Sequence, residues 1–550
     1  MRLIWLDINA SYSHSSLALP ALHAQLTDNQ SKSITWNIVS GTINSDPSLL
    51  LLEISDFSPD IILSTAWLFN HTFILNLLGR YKRLDPSATI ILGGPEFCGD
   101  NKSYLTANKF ITAVFRGEGE ESFPLLVDTL FKSSFWNIIP GMCWINEKDN
   151  YIDNGEAIVS DFSMLKPPEM SRFFNWDKHF VQIETSRGCF NTCTFCVSGG
   201  CRKVQSIAPA KIHERLMYFY SKGIKEIRVL DRTFNASSEK AEELLNIFND
   251  FSGKLKFHLE IHPALLTDKI REVLARLEPG LLHLEAGLQS LDNKVLNACK
   301  RSGSSEKSVE GVKFIVSLHK FEIHVDLIAG LPNYTYSALI EDIKYIFSLD
   351  VDEIQIELLK LLPGTKLKED APIYEIAYSP TPPYEVLRTN AISVKELYKV
   401  SVLSKVIDIW YNNKIWHETF RKLQNDNPIF IETFLNNILT NKLLNNRLSQ
   451  ENNGMLLYRF CEDFFKKAVF DVASAWIVAG FSLKKGPGKL VEPWIRGVSK
   501  EINPLLSISE DSNMFNYYYL QGENKKLWFA FDKKDKKGKP AKIHLSTCFI

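Results

Sequence analysis

The sequence predicts an α/β protein with three parts. These are an N-terminal doubly wound, Rossmann-like parallel sheet, a central partial barrel of six β/α units, and a mainly helical C-terminal domain. Short apolar strands alternate with helical patterns over residues 1–390, which is typical of parallel sheets. Glycines stand at the ends of several of these strands, and from about residue 393 the pattern becomes largely helical.

Length and composition exclude several protein classes. A chain of 550 residues is too long for one core at about 100–200 residues per domain. We expect boundaries at 1–140, 141–178 (a linker), 179–392 and 393–550. Hydrophobic residues at 45% and charged residues at 23% argue against a disordered chain. Lys and Arg total 63 against 64 Asp and Glu, so we expect no nucleic-acid partner.

The sequence also predicts a cytoplasmic location. No apolar run approaches the roughly 20 residues of a transmembrane helix, so we expect no integral membrane segment. The N-terminus reaches Asp7 too early for the apolar part of a signal peptide. Nine cysteines in this length are too sparse for a disulfide-stapled scaffold.

The N-terminal domain alternates strands and helices in order. We expect strands at 2–8, 34–39, 60–64, 89–92 and 113–115, and helices at 15–26, 72–81 and 122–131. Ligands of such sheets bind at the carboxyl ends of the strands, where glycines let a flat or phosphate-bearing ligand approach the backbone. No G-x-G-x-x-G follows the first strand, which counts against a dinucleotide. The binding candidates at these ends are Asn9, Tyr12, His14, Ser15, Ser64, Thr65, Gly93, Gly94, Glu96, Gly117, Glu118 and Gly119.

The central domain repeats the β/α pattern six times. We expect strands at 181–185, 226–230, 256–261, 281–286, 322–328 and 353–359, with helices such as 212–221 and 238–248 between them. Barrel active sites lie at the carboxyl ends of the strands. Near the C-terminus, 527–531 and 543–547 flank the lysine-rich run 533–540. We interpret this region as a hairpin with a solvated, charged loop.

Four cysteines lie within thirteen residues, namely Cys189, Cys193, Cys196 and Cys201. The first three have C-x3-C-x2-C spacing just after the first barrel strand. Iron–sulfur clusters are normally held by four thiolates, so three local cysteines leave one iron open to a substrate or cosubstrate. Two alternatives stay open. One is a zinc site completed by Cys201 or a histidine, and the other is a chance grouping of buried thiols. Zinc sites usually pair a second C-x2-C or a histidine pair at a defined distance, and none follows here.

The cysteine motif resembles the signature of radical S-adenosylmethionine (SAM) enzymes. The resemblance implies a 4Fe-4S cluster on Cys189, Cys193 and Cys196, with SAM chelated by the open iron. Reduction by an external flavodoxin- or ferredoxin-type donor then cleaves SAM to a 5′-deoxyadenosyl radical. At the second strand, Asp-Arg-Thr-Phe-Asn replaces the family's usual Gly-Gly-Glu. The implied SAM contacts are Asp231, Thr233, Asn235, Glu260, Glu285, Gln289, Asp326 and Gly330.

The N-terminal domain before this barrel resembles the cobalamin-binding domain of cobalamin-dependent radical SAM proteins. The matching stretches are Asn-Ala-x-Tyr-x-His-Ser-Ser-Leu from Asn9, Asp-Arg-Thr-Phe-Asn from Asp231 and Asp-Leu-Ile-Ala-Gly-Leu-Pro from Asp326. They indicate a subgroup with a C-terminal domain of unknown function. The resemblance implies that the strand-end candidates hold cobalamin. Since Asp-x-His-x-x-Gly is absent, it also implies cobalamin without a histidine lower ligand, with His14 as a loop or phosphate contact.

These resemblances imply a methyltransferase. One SAM would methylate cob(I)alamin, and a second would give the radical that removes hydrogen from an unactivated, sp3 carbon, which then takes the methyl group. The sequence specifies no catalytic side chain. It also does not identify the substrate, for which a small molecule, a peptide and a lipid all stay open. Three alternatives are a non-methylating rearrangement or cyclisation with the same cofactors, tRNA methylthiolation, and a cobalamin- or redox-sensing protein. Methylthiolation is disfavoured because those enzymes carry three further upstream cysteines and a basic tail.

Overall fold

A computed structural model describes residues 1–12, 16–199, 202–444, 447–481, 491–492, 515–521, 525–532 and 544–549. His14, Ser15, Cys201 and the lysine-rich run 533–540 lie outside the described residues. The chain divides into two compact units, Met1–Leu339 with Leu358–Leu397, and Ile340–Glu357 with Tyr398–Ile550. None of the described helices is both long enough and apolar enough to cross a bilayer.

The N-terminal part is built on a seven-stranded sheet. Its strands are β1 (Arg2–Asn9), β2 (Thr35–Thr42), β3 (Ile61–Thr65), β4 (Thr89–Gly93), β5 (Ala113–Phe115), β6 (Met142–Ile145) and β7 (Tyr151–Asp153). They lie in the order β2-β1-β3-β4-β5-β6-β7. The first five are parallel, which confirms the expected doubly wound class, and β6 and β7 add antiparallel strands. The strand order reverses at β1 and β3, the position where such sheets bind ligands.

Part of the expected linker belongs to this sheet. The strands β6 and β7 lie within residues 141–178, and Val114 of β5 pairs with Cys143 of β6. Strands of four and three residues are too short to show a period that sequence reasoning could detect.

Helices cover both faces of the first sheet. They are α1 (Ala18–Ala24), α2 (Asp28–Lys32), α3 (Pro47–Phe57), α4 (His71–Leu84), α5 (Lys102–Ala107) and α6 (Ser122–Asp128). Successive strand residues point to opposite faces, so Ile4 packs in one core with Leu77 of α4, and Trp5 packs in the other with Phe123 of α6. Burial on both faces explains the nearly continuous apolar strands.

The six expected barrel strands all form. The central part contains β8 (Phe180–Ile183), β9 (Ser186–Cys189), β10 (Arg202–Ser206), β11 (Glu226–Val229), β12 (Lys256–Ile261), β13 (Leu282–Gln289), β14 (Glu322–Ala329) and β15 (Glu353–Leu358). One six-stranded sheet has the order β15-β14-β13-β12-β11-β8, and β9 and β10 form a separate pair. The helices are α7 (Pro209–Ser221), α8 (Ser238–Asn249), α9 (Asp268–Arg276), α10 (Asn293–Ala298), α11 (Ser305–Leu318) and α12 (Tyr336–Leu349).

Barrel strands alternate buried apolar residues with half-buried polar ones. In β12, Phe257, Leu259 and Ile261 are buried, while His258 and Glu260 on the other face are partly exposed. β13 and β14 show the same alternation. The polar face therefore offers the barrel's chemical groups.

The C-terminal part is helical and then forms strands. It contains α13 (Lys366–Glu369), β16 (Ala377–Tyr378), β17 (Val386–Arg388), α14 (Val394–Val406), α15 (His417–Asp426), α16 (Phe430–Thr440), α17 (Gln450–Phe464), α18 (Val469–Val478), β18 (Val491–Glu492), β19 (Phe515–Gln521), β20 (Lys525–Asp532) and β21 (His544–Phe549). The expected hairpin is β20 paired with β21, but β19 and β18 extend it to a sheet that the sequence did not predict. Trp410 and Trp416 are fully buried, so they are core residues.

Candidate cofactor site

The cysteine motif lies at the end of β9 and on the loop that connects β9 to β10. These two strands form an antiparallel ribbon. Arg202 of β10 pairs with Cys189 of β9, where the loop begins. Within the loop, the Cys196 amide donates to the Cys193 carbonyl at 3.2 Å and the Gly199 amide to the Cys196 carbonyl at 3.0 Å. A Cβ at Gly199 would lie 2.1 Å from the Cys193 oxygen, so this tight turn requires glycine.

Neighbouring segments of the same unit hold this loop from two sides. The Thr194 amide donates to the Cys299 carbonyl at 2.9 Å, and the Leu367 amide donates to the Thr194 carbonyl at 2.8 Å. The buried Asn191 accepts hydrogen bonds from the Ser302 amide, at 3.2 Å, and from its hydroxyl. The position of the cysteines is therefore set by contacts more than one hundred residues away in sequence.

Asp231 supports the cysteine ribbon. Its Oδ1 accepts from the amides of Thr185 at 2.7 Å and Ser186 at 2.9 Å, and its Oδ2 accepts from their hydroxyls at 2.5 and 2.6 Å. The side chain is 1% exposed. Burial raises the pKa of Asp231, although these hydrogen bonds oppose the shift. Both oxygens thus bind Thr185 and Ser186, the first residue of β9, while the SAM contact expected at Asp231 stays a prediction.

The three motif cysteines are not drawn together as the ligands of one metal ion. Zinc holds thiolates at about 2.3 Å, which places neighbouring sulfurs roughly 4 Å apart. Within the described part of the chain, Cys189, Cys193 and Cys196 do not form a group whose sulfurs all lie within 4.8 Å of one another. Burial raises the pKa of the Cys193 thiol, Arg301 opposes that shift, and Cys196 and Cys189 add to it. The Cys193 thiol is thus close enough to Arg301 and to the other two motif thiols to interact with them electrostatically.

A cavity of about 810 Å³ joins the first sheet to the cysteine loop, within the size range of cofactor sites. From the carboxyl ends of β3, β4 and β5 it is lined by the predicted residues Ser64, Thr65, Gly93, Gly94, Gly117, Glu118 and Gly119. From the cysteine loop it is lined by Cys193, Cys196, Val197, Ser198 and Gly199. One space therefore borders the predicted cobalamin site and two of the three predicted cluster cysteines, whereas the predicted SAM residues of the barrel are not part of its described lining.

Two cavity glycines have backbones that a side chain would disrupt. Gly94 has φ +109°, and a Cβ there would lie 2.6 Å from the Ala66 oxygen. Gly117 has φ +98°, and its Cβ would lie 2.2 Å from the Ala157 oxygen. These conformations favour glycine, because a side chain would collide with neighbouring backbone, and both glycines line the cavity wall.

Of the remaining N-terminal candidates, the described ones (Asn9, Tyr12 and Glu96) are not among the residues that line this cavity. Asn9 donates to Asp7 Oδ2 at 2.9 Å, and Tyr12 is 78% exposed. Glu96 is buried and accepts a 2.7 Å hydrogen bond from the Tyr384 hydroxyl. Among the described lining residues there is no histidine.

Sequence reasoning missed several lining residues, above all Arg187. Its guanidinium contacts Glu184 through two hydrogen bonds, at 3.0 and 2.5 Å, and Glu120 at 2.8 Å. Arg187 and Glu120 both line the cavity. The arginine stands two residues before the first motif cysteine, but its partner on the first sheet is not visible in the sequence. Other missed lining residues are Trp5, Leu22, Trp67, Phe115, Arg116, Phe123 and Glu156.

The predicted SAM residues near the ends of the barrel strands differ in their surroundings. Thr233 Oγ1 lies 4.0 Å from Cys189 Sγ, whereas the buried Asn235 exchanges hydrogen bonds with the His262 backbone at 2.9 and 2.8 Å. Gln289 and Gly330 have positive φ values of 67° and 94° at the ends of β13 and β14. We interpret Asn235 as a support for the strand end.

Glu260, Glu285 and Asp326 lie on three neighbouring strands. Glu260 pairs in register with Glu285. His258 Nε2 lies 3.1 Å from Glu285 Oε2, and His324 Nε2 lies 3.1 Å from Asp326 Oδ1. Burial raises the pKa of Glu260 to about 7, and the charge of Glu285 adds to the shift. Burial also raises the pKa of Asp326, whereas the hydrogen bond from His258 lowers that of Glu285.

Glu260 gives a prediction for pH dependence. Because its pKa rises from 4.5 to about 7 on folding, the folded protein retains a proton that the unfolded chain releases. The free energy of unfolding should therefore fall as pH rises through this window. We expect Glu260→Gln to lack that part of the decline, measured as melting temperature against pH. Parallel curves for wild type and variant would contradict the assignment.

Comparisons with known proteins agree with this geometry. Residues 183–346 match the model of the radical SAM superfamily, and residues 373–475 match the family described as protein of unknown function DUF4080. The chain therefore contains a radical SAM domain, whose cofactors are a 4Fe-4S cluster and SAM. Its C-terminal part contains the DUF4080 domain, which confirms the expected domain of unknown function.

Curated relatives match about half of the chain. An uncharacterized methyltransferase, PH0819, of Pyrococcus horikoshii is 26% identical over 297 residues, which span 51% of this chain and 62% of that protein. A tRNA-2-methylthio-N(6)-dimethylallyladenosine synthase of Bifidobacterium longum is 26% identical over 272 residues, spanning 47% of this chain and 52% of the relative. The matched part thus covers less than two thirds of either relative.

Two solved structures share the fold over most of the chain. The radical SAM methyltransferase TsrM from Kitasatospora setae, with cobalamin and a 4Fe-4S cluster bound, has a TM-score of 0.56 at 16% identity, covering 69% of this chain and 81% of TsrM. The cobalamin-dependent SAM radical enzyme OxsB, with aqua-cobalamin bound, has a TM-score of 0.58 at 14% identity, covering 88% and 79%. The fold is therefore that of cobalamin-dependent radical SAM enzymes.

Proposed function

We propose that this chain is a cobalamin-dependent radical SAM methyltransferase that transfers a methyl group from SAM to an unactivated carbon. The cavity carries the proposal, because the ligand-binding edge of the first sheet and the cysteine loop line the same space. When bound, the cluster and SAM supply the deoxyadenosyl radical and cobalamin carries the methyl group. In this proposal a shared cavity lets cobalamin and the cluster with its SAM serve one substrate.

The chain's own residues position these groups and exclude water. In this proposal Cys189, Cys193 and Cys196 hold three irons, and Gly94 and Gly117 offer bare backbone to the corrin ring. Trp5, Leu22, Phe115 and Phe123 form an apolar part of the cavity wall, which limits access of water to reactive groups. The proposed SAM contacts in the barrel are Thr233, Glu260, Glu285, Gln289, Asp326 and Gly330.

The tRNA methylthiolation alternative gains no support from the upstream cysteines. In the described chain before the barrel, the cysteines are Cys98 and Cys143. Cys143 is buried in β6, and burial raises the pKa of its thiol to about 11. Cys98 lines the cavity. Two thiols in different settings do not provide a second cluster site.

The test is a labelling experiment on the full chain, reconstituted anaerobically with iron, sulfide and cobalamin. SAM with an isotopically labelled methyl group is added, with a flavodoxin or ferredoxin system as electron donor. We expect 5′-deoxyadenosine and label in the released cobalamin fraction, both detected by mass spectrometry. Deoxyadenosine without label transfer would favour a rearrangement or cyclisation. If the cluster and cobalamin both bind and SAM stays intact, the result favours a cobalamin- or redox-sensing protein over an enzyme.

A further inference from the structure

A buried group of charges connects the cavity to the cysteine ribbon. We define the Arg187 clamp as Arg187, Glu120, Glu184 and Phe162. Side-chain exposures of 21% for Arg187 and 9% for Glu120 shield their 2.8 Å contact from solvent. The guanidinium carbon of Arg187 also lies 4.5 Å from the centre of the Phe162 ring. The clamp therefore joins the loop after β5, the segment after β7 and the strand β9.

The segment around Phe162 makes a second connection. The Glu118 amide donates to the Ala157 carbonyl at 2.8 Å, and the Val159 amide donates to Glu118 Oε2 at 2.6 Å. Further along, Gln205 of β10 accepts from the Phe162 amide at 2.7 Å and donates to the Val159 carbonyl at 3.3 Å. The same short segment therefore holds the cavity loop at one end and the cysteine ribbon at the other.

These contacts link the cavity loop to the cysteine ribbon through shared side chains. Arg187 stands two residues before Cys189, and its backbone pairs with Gln205. A planar guanidinium held by two carboxylates has a narrow range of allowed geometries. Removing one partner of a shielded ion pair leaves an uncompensated charge at high cost. A ligand that fixes the cavity loop thus reduces the ordering that the ribbon still requires, and the reverse holds equally.

We propose that the Arg187 clamp couples the two cofactors, so that loading the iron–sulfur cluster increases the affinity of the cavity for cobalamin. Because coupling is reciprocal, bound cobalamin stabilises the cluster by the same factor. Arg187 is a positioning residue in this scheme. The inference rests on the proposed function in one respect, which is that the cavity binds cobalamin.

The experiment compares cobalamin affinity with and without the cluster. Hydroxocobalamin is titrated into the full chain under anaerobic conditions, and binding is followed by absorbance. We expect the wild type to bind about tenfold more tightly when the cluster is loaded, within the range of typical couplings. In Arg187→Gln that ratio should fall to near one, and Arg187→Lys, which keeps charge without the planar fork, should recover part of it.

Arg116→Gln is the matched control. Arg116 lines the same cavity and its side chain is 20% exposed, but it contacts Gly99 and Asp153 within the first sheet. Loss of the Arg116 side chain should change the cobalamin affinity equally with and without the cluster. The ratio of these two affinities should therefore stay as in the wild type. Glu120→Gln provides a second variant that breaks one clamp contact, should Arg187→Gln fail to fold.

The possible outcomes separate the two proposals. Equal cobalamin affinity with and without the cluster in the wild type overturns the coupling and leaves the proposed function standing. An unchanged ratio in both clamp variants, or a lost ratio in Arg116→Gln, also overturns it. No cobalamin binding in either form of the wild type overturns the proposed function and the coupling together.

Discussion

Replacing Cys193 by alanine is expected to eliminate the iron–sulfur cluster and all reductive cleavage of SAM. The motif supplies three thiolates, and a cluster that already has one open iron cannot be held by two. Cys193 is 5% exposed and faces Arg301 and the other two thiols, so solvent offers no replacement ligand of equal strength. Iron content should fall from about four per chain to background, measured with acid-labile sulfide and the EPR signal of the reduced protein.

Cys299→Ala is the control for this prediction. Cys299 is a buried thiol close to the cysteine loop, and burial, with Cys193 adding, raises its pKa to about 12. It lies outside the motif, so the variant should retain iron and sulfide. Loss of the cluster in Cys299→Ala together with its retention in Cys193→Ala would contradict the ligand assignment.

Replacing Asp231 by alanine is expected to destabilise the first unit by about 3–5 kcal/mol, as for other broken buried polar networks. The change removes the acceptor of four hydrogen bonds from Thr185 and Ser186 and leaves their amides buried without partners. Calorimetry of the full chain should show the transition of this unit at lower temperature. Cluster iron should also be retained less well, because these two residues lead into β9.

Asp231→Asn distinguishes support of the ribbon from SAM binding. The amide oxygen can still accept from the two backbone amides, and its NH2 group can donate to the two hydroxyls after they rotate. We therefore expect near wild-type stability and unchanged SAM affinity. A SAM ligand would instead lose much of its binding when the carboxylate charge is removed. Wild-type stability with strongly weakened SAM binding would contradict the supporting role.

The elements that sequence reasoning identified are those with local signals. The parallel strands of the first sheet have short apolar runs, and the barrel strands alternate apolar and polar residues. Cys189, Cys193 and Cys196 share one loop with a recognisable spacing. Glycines at strand ends, such as Gly94 and Gly117, predicted positions where a ligand can approach the backbone closely. Local spacing therefore predicted the fold class, the cysteine loop and the cavity's position.

The elements that escaped depend on contacts between distant residues. Arg187 pairs with Glu120, Asp231 with Thr185, and Asn191 with Ser302, and none of these pairs has a spacing that a period could reveal. The family resemblance implied a SAM contact for Asp231, and no signal in the sequence indicated that its carboxylate accepts hydrogen bonds from Thr185 and Ser186. The short strands β6, β7, β9 and β10 escaped because pairing, not apolar periodicity, defines them.

The most direct test of the central claim is cobalamin binding by the full chain with its cluster loaded. The claim is that one cavity serves both cofactors and offers cobalt no histidine from its described lining. We predict stoichiometric binding, and an EPR spectrum of the Co(II) form without hyperfine splitting from a histidine nitrogen. A chain that carries its cluster but retains no cobalamin would contradict the claim.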